Sequence, residues 1–217
     1  LMISPQLNPV GWSYTESDRK WLVEFCIKHD INVISDEVYS GADRNWKPFF
    51  KEGKNFITIS SLTKVHGLGV VRYGWICADR EIIRYIGRSF HNMEGMMASP
   101  TIRIVEQIKD RLNEPVELIE QYREENLPIL QESLTRLGIK WTPPPTGVFG
   151  SFRIPGVNTM QMIDTIGKEY DLLAVPGCMF DSGLEEWLRV GWSIDKKSFS
   201  EAVEVLETVI SKAMDIT

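Results

Sequence analysis

Ile59-Ser60-Ser61-Leu62-Thr63-Lys64-Val65-His66-Gly67-Leu68-Gly69-Val70-Val71-Arg72 is a β-rich run that stops at a hydroxyl cluster and one lysine, is loosened by glycines, and closes on an arginine. Lysine does covalent and proton chemistry as a neutral amine, a form that burial or a cationic neighbour favours. Taken alone, a lysine in such a place reads as a solvated loop residue. The residues around it, near and far along the chain, argue otherwise.

On its N-terminal side the chain alternates strand and helix patterns. Residues 1–4 read as a short apolar strand with no turn or cap before it. Leu1 is neither an initiator Met nor a charged signal start, so the chain is expected to begin inside a domain. Residues 5–11 are dense in turn formers. Thr15 and Asp18 predict a capped helix to about Lys28, with Trp21, Leu22, Phe25 and Cys26 on one face. Residues 31–35 form a β-branched strand ending at Asp36-Glu37-Val38-Tyr39, and 56–60 form the strand that enters the lysine loop. A strand over 72–78 and a helix over 80–90 follow. This alternation predicts an α/β layered sheet, in which ligands gather at the carboxyl ends of strands. Asn8, Asp36, Tyr39 and Lys64 each lie just past a predicted strand.

Beyond a break at 95–100, a helix is expected over 101–112, an interruption at Asn113-Glu114-Pro115, and a long helix over 116–137. Pro128 should kink or split that helix near Asn126 and Leu127. Strands over 148–154, 172–175 and 187–193, a helix over 160–170, and a last helix capped by Ser198 and Glu201 make a second, smaller α+β layer. The domain boundary falls within the long helix, giving residues 1–118 and 119–217.

Composition narrows the function classes. The 217 residues are 43% hydrophobic and 25% charged, as in a chain that buries a core. A formal charge of −6 is the wrong sign for a nucleic-acid partner. No apolar run approaches the roughly 18–20 residues that span a bilayer, and the expected compartment is the cytoplasm. Cys26, Cys77 and Cys178 are scattered without a CxxC, and the three histidines have no ligand spacing, so neither a disulfide framework nor a metal site is expected.

Asn8-Pro9, Asp36-x-x-Tyr39, Ser61-x-x-Lys64, Arg72 and Arg189, in that order, resemble the class I/II aminotransferases of pyridoxal-phosphate fold type I. The specific parts are Asp36-Glu37-Val38-Tyr39 and Lys64 with Gly67 and Arg72. Asn8-Pro9-Val10-Gly11 differs by one residue from the family's Asn-Pro-Thr-Gly. The resemblance implies that 1–118 is the C-terminal part of the large-domain sheet that binds pyridoxal 5'-phosphate, and that 119–217 is the small α+β domain. It implies that Lys64 holds the cofactor covalently and moves a proton between the substrate Cα and C4′, and that Asp36 faces the pyridine nitrogen. Tyr39 and Asn8 would meet the phenolic oxygen, and Ser61 and Arg72 the phosphate. Arg189 would grip the substrate α-carboxylate, although Glu185 or Glu186 could pair with it instead.

The implied reaction passes an amino group from an amino acid to a 2-oxo acid, in a homodimer. The resemblance also implies roughly another half-chain before Asn8-Pro9, bearing a phosphate-binding helix start and a ring-stacking aromatic. The 217 residues alone are therefore expected to bind cofactor weakly and to be poorly active. The same cofactor residues would serve a C–S lyase. From another class, the alternative is a noncatalytic binding or regulatory module built from aminotransferase parts.

Overall fold

The computed structural model of this protein describes residues 1–93 and 95–216. They form two compact units, one of Leu1–Gln6 with Ser13–Glu117, the other of Leu7–Trp12 with the residues from Leu118 onward. The division falls inside one long helix.

In chain order the elements are β1 (Met2–Ile3), β2 (Gln6–Leu7), β3 (Trp12–Ser13), α1 (Glu16–Lys28), β4 (Val33–Asp36), β5 (Phe56–Ser61), β6 (Gly74–Cys77), α2 (Arg80–Met93), α3 (Ser99–Ile108) and α4 (Asn113–Arg136). The remainder are β7 (Phe149–Arg153), α5 (Thr159–Met162), β8 (Val175–Pro176), β9 (Trp187–Gly191) and α6 (Lys196–Ile216).

The sheet of the first unit has the order β1-β4-β5-β6, with β1, β4 and β5 parallel and β6 antiparallel. Parallel neighbours need long crossovers. Here α1 links towards β4, and a loop carrying the short 3-10 turn Phe49–Glu52 links β4 to β5. The α1 start follows the predicted capping box: the Thr15 hydroxyl accepts from the Asp18 amide (3.2 Å), and Asp18 accepts from the Thr15 amide (2.9 Å). Ile3, Val33 and Phe56 point to one sheet face and pack with Leu22, Cys26 and Phe49.

The face expected for α1 is only half right. Leu22 and Cys26 are buried, but Trp21 and Phe25 are exposed and stack on each other with ring centroids 5.4 Å apart. The inward slot is taken by Arg19, whose guanidinium lies 4.1 Å from the Phe49 ring centroid and pairs with Glu52 at 2.6 Å. An arginine stem with a delocalised head over an aromatic face packs as an apolar residue does.

The second unit is built on the antiparallel sheet β7-β9-β8, against which the C-terminal part of α4, with α5 and α6, buries Leu130, Leu134, Leu188, Trp192, Phe199 and Ile210. The predicted core face of α6, namely Phe199, Val203, Leu206, Ile210 and Ala213, is buried throughout. Its cap is different: the helix begins at Lys196, and the Asp195 carboxylate, not Ser198, accepts from the Ser198 amide at 3.0 Å.

Three further expectations give way to packing. The split allowed for at Pro128 does not occur: α4 continues through it, with Leu127, Leu130 and Leu134 buried around it and the Asn126 carboxamide donating to the carbonyls of Trp192 and Ile194, both at 2.8 Å. Pro115 does not interrupt it either, since the first helical turn has no intrahelical partner for its amides. The strand expected over 172–175 shrinks to β8, as the Leu172 amide closes a turn onto the Gly167 carbonyl (2.9 Å).

The opposite face of the first sheet is apolar and open. Met2, Ile34 and Ile76 expose 69%, 39% and 41% of their surface, and α2 and α3 bury none of their described residues. Exposed apolar sheet surface favours association with another chain. The 217-residue chain is therefore expected to self-associate, read as dimers or larger species by light scattering. Ile34→Thr with Ile76→Thr, which keeps β-branching, should shift it toward monomer. A monodisperse monomer without those substitutions would contradict this reading of the open face.

Candidate functional site

The parallel pairing of β4 and β5 sets Asp36 opposite Ile59, so both strands end at the same level. Asp36 is half-buried, and its Oδ1 accepts from the Val38 amide at 3.2 Å, turning the chain out of the sheet. Tyr39 then leads into the 3-10 turn Ser40–Ala42. At the end of β5, Ser61 pairs with Gly74 of β6, and its hydroxyl accepts from the Thr63 amide at 3.2 Å. A Cβ on Gly74 would come within 3.0 Å of the Ser60 carbonyl, so this close approach favours glycine.

The loop between β5 and β6 is tightly closed. The Leu62 amide donates to the Tyr73 carbonyl and the Leu68 amide to the Leu62 carbonyl, both at 3.0 Å. Leu62 and Val65 are buried pegs, and Lys64 stands exposed between them. Its Nζ lies 5.8 Å from the Tyr39 ring centroid. Among the described residues the Lys64 amine has no hydrogen bond or ion pair, and neither has the exposed Arg72 guanidinium. Arg72 is in the left-handed region (φ 52°, ψ 44°), which costs a non-glycine residue about 1–2 kcal/mol. The strand expected from residue 72 therefore starts at Gly74. Lys64, Arg72 and the Ser61 hydroxyl on one loop are suited to an anion, and the amine is available for covalent chemistry.

Asn8 and Arg189 belong to the second unit. Asn8 Oδ1 is buried without a partner among the described residues, so its carboxamide has capacity for a polar ligand. Its loop is held to β7: the Ser151 hydroxyl donates to the Pro9 carbonyl at 2.8 Å, and Gly11, at φ 76°, sits where a Cβ would be 2.6 Å from the Phe149 carbonyl. Arg189 pairs in register with Ser151, and its guanidinium lies 4.1 Å from the Phe149 ring centroid. The Glu186 carboxylate accepts from Arg153 Nε (2.6 Å) and the Gly156 amide (2.9 Å).

Two groups escaped the sequence reading. Glu37 is buried, and its carboxylate accepts from Trp46 Nε1, the Phe49 amide and the Thr58 hydroxyl, each at 2.9 Å. Ser151 is buried beneath Pro9. Strand alternation could have flagged Glu37, since it shares the inward parity of Val33 and Ser35; nothing in the sequence pairs residue 151 with residue 9.

The family model of the class I and II aminotransferases matches residues 4–206. Aromatic-amino-acid aminotransferase 2 of Thermococcus litoralis is 22% identical over 98% of this chain and 57% of its own length. The aspartate aminotransferase of Pyrococcus abyssi is 22% identical over 97% and 57%. The crystal structure of LysN, an alpha-aminoadipate aminotransferase from Thermus thermophilus complexed with N-(5'-phosphopyridoxyl)-L-leucine, superposes with a TM-score of 0.84 at 20% identity, over 100% of this chain and 59% of that one. The chain thus spans somewhat over half the length of the curated relatives it matches, and it belongs to the class I and II aminotransferases.

His66, two residues past Lys64, is half-buried with Nδ1 3.1 Å from the Leu112 carbonyl. Burial pushes its imidazole below the ordinary value, against the opposing pull of that carbonyl. The folded chain favours the neutral ring while the unfolded chain takes up a proton below about pH 6.5, so stability is complete above that pH and falls as the pH drops through it. Between about pH 7.5 and 5.5 the melting temperature should fall further for the unsubstituted chain than for His66→Asn. Parallel curves would show that His66 does not couple acid to the lysine loop.

Proposed function

We propose that this chain is the C-terminal portion of a pyridoxal-phosphate-dependent aminotransferase that passes an amino group from an amino acid to a 2-oxo acid. The observation that carries this reading is the Lys64 amine. It is exposed beside Tyr39, without hydrogen bond or ion pair among the described residues, on a loop that closes through a strained, unpaired Arg72. Residues 1–118 are read as part of the cofactor-binding large domain and 119–217 as the small domain, in a cytoplasmic homodimer. No helix among the described residues is long and apolar enough to cross a membrane.

The residues of the first unit fit the cofactor: the Arg72 guanidinium, without hydrogen bond or ion pair among the described residues, and the Ser61 hydroxyl for its phosphate, the Asp36 carboxylate for its ring nitrogen, and the Lys64 amine for its covalent attachment. When bound, pyridoxal phosphate supplies an electron sink for the negative charge that develops at the substrate Cα. Lys64 Nζ would hold the cofactor covalently, and as a free amine it would take and return the substrate Cα proton. The Asp36 carboxylate holds a proton on the pyridine nitrogen by the favourable energy of opposite charges in contact. Tyr39 and Asn8 offer hydrogen bonds to the phenolic oxygen. Ser61 and Arg72 hold the phosphate, where a guanidinium can donate two parallel bonds. Arg189 forks the substrate α-carboxylate in the same way.

Borohydride reduction in the presence of pyridoxal phosphate should place a phosphopyridoxyl label on the peptide containing Lys64, and Lys64→Ala should abolish it. A label that survives Lys64→Ala would overturn the assignment.

Asp36→Asn keeps the shape and removes the charge. The cofactor should still bind, while single-turnover amino transfer slows by about 10²-fold or more, as when a preorganised partner of developing charge is lost. Unchanged single-turnover rates would rule that role out.

A further inference from the structure

Glu37 stands between two residues of the proposed site, yet its carboxylate is turned into the core, on the face opposite Asp36. Alternation along β4 turns Val33, Ser35 and Glu37 to the interior, and sends Ile34 and Asp36 to the other face. Only 4% of Glu37 is exposed. Its Oε1 takes the Phe49 amide and the Thr58 hydroxyl, and its Oε2 takes the Trp46 indole. Thr58 in turn accepts from the Phe50 amide at 3.1 Å. All three donors to the carboxylate are neutral. A buried acid without a cation is costly to keep, and it does nothing for packing that an apolar side chain would not do better.

What the carboxylate does is fasten the backbone from behind at the point where the strand ends. The Glu37 amide donates to the Ile59 carbonyl at 2.8 Å, while its own carbonyl accepts from the Ser60 hydroxyl and the Ser40 amide, both at 3.2 Å. The residue is thereby tied to β5, to the 46–50 segment, and to the turn that carries Tyr39. A small rotation here would move Asp36 and Tyr39 together, and with Tyr39 the ring that Lys64 Nζ faces at 5.8 Å. We propose that Glu37 is a positioning residue, which holds Asp36 and Tyr39 in register for the cofactor through the hydrogen bonds of its buried carboxylate to Trp46, Phe49 and Thr58. This role presupposes that pyridoxal phosphate binds at Asp36, Tyr39 and Lys64.

The test compares Glu37→Gln with Trp46→Phe, which removes one donor, and with Leu22→Ala, which opens the same core away from the site. The readouts are the dissociation constant for pyridoxal phosphate, borohydride capture at the Lys64 peptide, the pH at which the bound cofactor's absorbance changes, and melting temperature. A Gln amide cannot accept from all three donors, because its nitrogen donates. Glu37→Gln should therefore weaken cofactor binding by about tenfold or more, lower capture at Lys64 in parallel, and shift the absorbance titration; Trp46→Phe should do the same to a lesser degree. Leu22→Ala should lower the melting temperature but leave the absorbance titration in place. Binding within about twofold of the unsubstituted chain, or a loss that Leu22→Ala reproduces at equal melting temperature, would overturn the role. If Glu37→Gln does not fold, unchanged binding and titration in Trp46→Phe would overturn it equally. No label at Lys64 in the unsubstituted chain, even with pyridoxal phosphate in large excess, would overturn the cofactor reading itself.

Discussion

The parallel register of β4 against β5, with Asp36 opposite Ile59, is the constraint on which the first unit depends. Strand side chains alternate, so a slip of one residue would turn Asp36 into the core and push Glu37 out of it. The register is held by more than the ladder. The Glu37 amide reaches the Ile59 carbonyl, and the Ser60 hydroxyl reaches back to the Glu37 carbonyl. Below them, the Glu37 carboxylate gathers Trp46, Phe49 and Thr58. Once both strands end together, the Asp36–Tyr39 turn and the Lys64 loop emerge on the same edge of the sheet, where α/β proteins place their ligands.

The Lys64 loop is fixed by its own packing and backbone hydrogen bonds. Buried Leu62 and Val65 anchor it, and backbone hydrogen bonds close it at both ends, from Leu62 to Tyr73 and from Leu68 to Leu62. Its polar groups are left over rather than used: neither Lys64 nor Arg72 is neutralised among the described residues. The left-handed backbone at Arg72 is carried without a glycine. Strain of this kind persists where the surroundings over-determine it, and it is commonest at functional sites.

In the second unit, buried polar groups take on a comparable role. Asn126 fastens α4, on the N-terminal side of Pro128, to the chain leaving β9 through the carbonyls of Trp192 and Ile194. Ser151 lies opposite Arg189 on the ladder and holds the Pro9 carbonyl, one residue from Asn8. Asn8 and Arg189 are thus tied to the same strand pair by groups whose removal would leave donors or acceptors stranded in a dry interior.

Much of this was legible in the sequence. Local features that depend on a few neighbouring residues could be read directly: the Thr15–Asp18 capping box, the four strands of the first sheet, and the core stripe of α6. Their physical basis is short-range, in hydrogen-bonding side chains at fixed offsets and in apolar periodicity. What only the tertiary structure decided involves partners far apart in the chain. Arg19 displaces Trp21 and Phe25 from the inner face because Phe49 and Glu52 receive it. Pro128 stays within a helix because leucines and Asn126 pin both sides of it. Glu37 and Ser151 acquire their roles only when Trp46, Thr58 and Pro9 are brought to them. Helix breaking and amphipathic facing are local preferences worth about 1–3 kcal/mol, and burial against a distant partner outweighs them.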